Sequence, residues 1–136
     1  MENKFLEKEI INLLNYGLIQ ATHSNKLIFK YEFDENEDLD QKNSTLACGL
    51  AYLAESHSLF LNAKNLILSN QISKFDITDL QKIFDQFNTF NNTTLDNLEQ
   101  NHPNDQGFRE FINFVDECEK LDELFNKKLI NLARQQ

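Results

Sequence analysis

The chain has 136 residues, a formal net charge of −9, 40% hydrophobic and 26% charged residues, only three Gly and one Pro, and twelve Phe without a Trp. This is ordinary globular usage rather than a disordered acidic tail, and the length suits one domain over residues 1–136 burying about two-thirds of its unfolded surface. So few turn-forming residues argue against a many-stranded sandwich or barrel, and so acidic a surface disfavours direct nucleic-acid binding, which needs several Lys/Arg–phosphate contacts.

The first segment, residues 2–22, repeats Phe5, Leu6, Ile10, Leu13, Leu14 and Ile19 at intervals of three and four, which predicts an amphipathic helix. Gly17 weakens its last turns by about 1 kcal/mol, and His23-Ser24-Asn25 offers a stop. The N-terminal MENKFLEKE carries both charge signs, and the apolar IINLLNYGLI is interrupted by Asn12, Asn15 and Tyr16. Neither a secretory signal nor a membrane span is expected, and the expected location is the cytoplasm.

Residues 27–33 change period. Leu27, Phe29, Tyr31 and Phe33 alternate with Ile28, Lys30 and Glu32, a strand signal, but a lone strand has nowhere to place its backbone hydrogen bonds. The segment is read as an extended connector between helices 1 and 2, with Leu27, Phe29 and Phe33 tucked against the bundle. Pairing with its own copy in a homodimer, addition to another protein's sheet edge and a helical form are the alternatives. Asp34, Glu35, Glu37, Asp38 and Asp40 then form a carboxylate run, read as a solvated loop and helix entry. Asp34-x-Asn36-x-Asp38-x-Asp40 resembles the start of an EF-hand calcium loop for seven residues. The pattern then fails, with Leu39 where the turn needs Gly and Thr45 where a bidentate Glu should close the shell.

A second helix is expected over about 41–69, capped by Asn43 or Ser44, with Ala47, Ala51 and Ala54 as a small-residue inner seam and Leu50, Leu53, Phe60, Leu61 and Ile67 around it. The third follows Asp76, with Ile77, Leu80, Phe84 and Phe87 inward, and continues through Asn91-Asn92-Thr93-Thr94 to Leu98. Phe90 and Phe114 lie slightly off the inner stripes and are read as contact residues. Asn101-His102-Pro103-Asn104 is a loop. The last helix is expected from about Asp105 to Ala133, with Phe108, Phe111, Ile112, Val115, Cys118, Phe125, Leu129 and Leu132 inside. On its outer face, Asp116 is placed to pair with Lys120 and Glu123 with Lys127. The fold class is all-α: a four-helix bundle with one extended segment between helices 1 and 2.

Chemistry-bearing patterns are sparse. Three scattered glycines cannot form a phosphate-binding loop. His23, His57 and His102 fall outside the Glu-x-x-His pairs of di-iron bundles, and Glu119-x-x-Asp122 matches half of the carboxylate set that holds magnesium in helical nucleotide pyrophosphatases. Cys48 and Cys118 are seventy positions apart in apolar stripes, as expected of buried free thiols in a reducing compartment. No cofactor, metal or catalytic residue is expected. The function expected is non-enzymatic protein binding, as an inhibitor or immunity-type protein that neutralises a toxin or blocks host defence by covering a basic nucleic-acid-processing protein. Phe29, Tyr31 and Phe33 would anchor it, and Asp34, Glu35, Glu37, Asp38 and Asp40 would steer it. An export chaperone or adaptor holding a client helix, and a self-assembling structural subunit, are the alternatives.

Overall fold

The structure, a computed structural model, describes residues 4–72 and 74–135. It is all-helical among those residues, with α1 (Lys4–Phe33), α2 (Leu39–Asn70), α3 (Ile77–Glu99), α4 (Asp105–Lys120) and α5 (Lys127–Arg134). α1 packs along α2 and α3 along α4, and α5 lies against both α1 and α4. None of these helices is long and apolar enough to cross a membrane.

The extended segment expected at 27–33 is instead the end of α1. The inner stripe of Ile10, Leu14, Gly17, Leu18 and Ala21 continues through Ser24, Asn25 and Ile28 without losing its helical phase. Seven alternating residues fit either period, and the buried stripe decides between them, because helix propensities differ by less than about 1 kcal/mol per residue. Ser24 Oγ and the Asn25 amide find no hydrogen-bond partner among the described residues, a penalty of about 1–3 kcal/mol each that the surrounding apolar contacts outweigh.

α2 starts two residues before expectation. Its cap is neither Asn43 nor Ser44 but Asp38, whose Oδ1 accepts from Gln41 N at 2.8 Å while Gln41 Oε1 accepts from Asp38 N at 3.0 Å. The small-residue seam also lies elsewhere. Ala47, Ala51 and Ala54 are exposed, and the buried row is Gly49, Leu53, Ser56, Phe60, Ala63 and Ile67. Both rows have helical spacing, and the one with the larger side chains turns inward because it buries more apolar area.

α3 begins at Asp76 as expected, with Asp76 Oδ1 accepting from Thr78 N at 2.9 Å, and it runs unbroken through Asn91–Thr94. Phe90 and Phe114, expected at the surface, are fully buried. They interlock with Phe60, Phe87 and Phe111 at ring-centroid distances of 5.3 to 6.1 Å, which joins α2 to the α3–α4 pair. Each such ring contributes roughly 1.5–3 kcal/mol by burial alone.

The expected fourth helix is two helices, which raises the count among the described residues to five. The chain leaves α4 at Leu121 and restarts at Asn126, whose side chain accepts from Lys128 N at 2.8 Å. Asn15 of α1 holds the turn, its Nδ2 donating to Leu124 O and its Oδ1 accepting from Asn126 N, both at 2.8 Å. This break turns Phe125, Ile130 and Ala133 inward and leaves Leu132, expected inside, 48% exposed. It also replaces the expected Asp116–Lys120 and Glu123–Lys127 pairs: Arg134 Nη2 reaches Asp116 and Glu119, both at 2.7 Å.

Gly17 marks a close approach of α1 and α2. A Cβ there would stand 2.7 Å from the Phe60 ring, and Gly17 O accepts from Ser56 Oγ at 2.6 Å. Because Phe60 is wedged among other rings it cannot yield. Gly17→Ala is therefore expected to lower stability by about 1–2 kcal/mol, although alanine favours a helix intrinsically, and urea denaturation followed by circular dichroism measures the sign.

Candidate protein-binding surface

The eight residues expected to bind a partner gather at the α1–α2 turn, but they divide into three groups. Phe29 and Phe33, one helical turn apart on α1, face Phe108 at the start of α4. Their centroids lie 4.6 Å apart, and 5.2 and 6.2 Å from the Phe108 ring. Phe29 remains 38% and Phe33 51% exposed, so this is a packed but uncovered aromatic patch. Phe108 was read from sequence only as core, and the i,i+4 spacing of Phe29 and Phe33 on a helix was the signal that they share a face.

Tyr31 points elsewhere. Lys42 of α2 lies over its ring, 5.8 Å from the centroid, and donates from Nζ to Tyr31 O at 2.9 Å. The two residues line a groove of about 360 Å³ between the α1–α2 turn and the α3–α4 loop, together with Glu32, Leu39, Leu98 and His102. Glu32 Oε1 accepts from Asn104 N at 2.8 Å and so ties α1 to that loop. Asn104 is itself buried, with Oδ1 accepting from Asn97 at 3.1 Å and Nδ2 donating to Thr94 at 3.3 Å.

The carboxylates also differ in what they do. Asp34 Oδ1 accepts from Asn36 N at 2.8 Å, Glu37 Oε1 accepts from Thr45 Oγ1 at 2.9 Å with Lys30 Nζ at 3.4 Å, and Asp38 caps α2. These three shape the turn. Glu35 and Asp40 are exposed, and their side chains make no hydrogen bond or ion pair among the described residues. The turn therefore presents negative charge held on a braced scaffold.

Several polar side chains elsewhere are engaged with one another. Glu55 accepts from Gln20 at 2.9 Å and His23 stacks on Tyr52, whereas Asp116 and Glu119 are engaged by Arg134. Among the described residues no group of three or more His, Cys, Asp or Glu is placed to hold a metal ion. Cys118 is fully buried, and burial, assisted by Glu117, pushes its thiol well above the usual range. Cys48, expected to be buried, is exposed because its row of α2 faces outward.

No protein-family model, curated protein or solved structure matches this chain.

Two outcomes test this division. Asp38→Ala should lower stability by about 1 kcal/mol through loss of the capping box, whereas Glu35→Gln should stay within about 0.5 kcal/mol of the parent in the same denaturation experiment. A thiol reagent should modify Cys48 promptly in the native protein and Cys118 only on unfolding, since the thiolate is the reacting form.

Proposed function

We propose that the protein is a non-enzymatic binding module that captures a basic protein through the α1–α2 end. The single observation that carries this reading is the partly exposed Phe29–Phe33–Phe108 patch at the same end of the bundle as the exposed carboxylates of Glu35 and Asp40. Aromatic side chains set in a rigid surface lose little entropy on binding and serve as anchors, while neighbouring charge accelerates encounter with a partner of opposite sign. The net charge of −9 extends that attraction over the whole molecule.

The specific form proposed is an inhibitor of a nucleic-acid-processing protein, as a toxin-neutralising or anti-defence factor. Such a target carries a basic surface for phosphates, and an acidic body with apolar anchors competes for that surface. A second reading, an adaptor for a client helix, is favoured by the way the patch spans two helices, with Phe29 and Phe33 on α1 and Phe108 on α4.

Affinity capture from the native host, followed by kinetics with the purified partner, tests both. Neutralising Glu35 and Asp40 together is expected to slow association several-fold at low salt, with the difference vanishing at high salt and dissociation little changed. Phe29→Ser with Phe33→Ser is expected to raise the dissociation rate by at least about tenfold. An unchanged association rate would remove electrostatic steering, and full partner activity at saturating inhibitor would leave only the adaptor reading.

A further inference from the structure

The stripe of α1 that ends in Phe29 and Phe33 begins lower on the same helix. Asn15, Ile19, Thr22, Lys26, Phe29 and Phe33 follow at intervals of three and four and share one face. The lower half of that face is already occupied by α5. Asn15 holds the turn into α5, and Ile19, Thr22 and Lys26 line a groove with Leu129 and Leu132. α5 ends at Arg134, clamped on Asp116 and Glu119 of α4. Beyond it, among the described residues, the α1–α4 furrow is floored by Phe29 and Phe33 packed against Phe108, with Phe29 38% and Phe33 51% exposed.

The occupant of the lower half indicates what suits the upper half. α5 reads KKLINLAR: it is short, it turns Ile130 and Ala133 inward, and it carries Lys127, Lys128 and Arg134 with no acid. The open half is likewise apolar at its floor and carries both signs at its margin, with Lys30 paired to Glu37 and Arg109 donating to Gln106. Asp34 and Glu35 follow Phe33 in the chain, and Asp105 lies one turn from Phe108. We infer that the open half of the α1–α4 furrow receives a short basic amphipathic helix of the partner, laid end to end with α5. Apolar residues of that helix at i and i+3 or i+4 seat on the three phenylalanines, and its Lys or Arg side chains meet Asp34, Glu35 and Asp105. The inference rests on the protein-binding role proposed above and specifies the element recognised.

The test uses a capped peptide carrying the α5 sequence twice in tandem, and a control with Glu at every Lys and Arg. Each is titrated into the full chain while amide shifts are followed by NMR. The basic peptide should saturate shifts centred on Phe29, Phe33 and Phe108. The Glu peptide, and the Phe33→Asp and Phe108→Ser proteins with the basic peptide, should each bind at least about tenfold more weakly. Absence of shifts up to about millimolar peptide, or equal binding of the two peptides, overturns the inference. Shifts centred on Ile19, Leu129 and Leu132 also overturn it, because they mean that α5 was displaced. Phe33 shifts that depend on protein concentration alone assign the surface to a second copy. A peptide that fails while the cellular partner still dissociates faster on Phe29→Ser sinks only the helix; failure of both sinks the binding role as well.

Discussion

The Phe60 ring occupies a space that exists only because residue 17 has no side chain. That contact sets how closely α1 approaches α2, and the rest of the architecture is built out from it. Phe60 reaches past the α1–α2 pair to Phe87, Phe84 and Phe114, with centroids 4.9, 6.3 and 5.6 Å away, and so fastens α2 to α3 and α4. Interiors are packed at crystal-like density, so a change of one methyl at this point propagates through the ring layer.

The uncovered surface follows from the same packing. Phe87, Phe90, Phe111 and Phe114 fill the space between helices, and at the far end of α1 that layer gives out. Phe29, Phe33 and Phe108 touch one another there, and among the described residues Phe29 and Phe33 stay partly exposed. The turn that follows is stiffened by the Asp38–Gln41 box, the Asp34–Asn36 contact and the Glu37–Thr45 bond. A rigid turn is what an electrostatic binding surface requires, since a mobile one would lose side-chain and backbone entropy on capture.

Much of the helix content was legible in the chain. Asp76 as a cap, the loop at Asn101–Asn104 and the passage of α3 through Asn91–Thr94 follow from local chemistry and phase alone. The misreadings share one cause. At 27–33 two periods coexist, on α2 two helical rows coexist, and at 121–126 the helix formers Leu121, Glu123 and Leu124 compete with Asp122 and Asn126, which favour caps and turns. In each case the local signal was nearly balanced, and the burial available to a neighbouring element tipped it. The hydrogen bond from Asn126 N to Asn15 Oδ1 spans 111 positions and leaves no local signal.

By itself the sequence determined an acidic, phenylalanine-rich helical chain with a carboxylate run after its first apolar stretch, because composition and periodicity are properties of neighbours along the backbone. Only the tertiary structure decided that Phe29 and Phe33 stand with Phe108, that Tyr31 turns away to Lys42, and that Asp34, Glu37 and Asp38 brace the turn while Glu35 and Asp40 stay free. The turn contacts are local in the chain, but whether residues 27–33 are helical, and so which partners each side chain meets, depends on burial against distant segments such as Phe108.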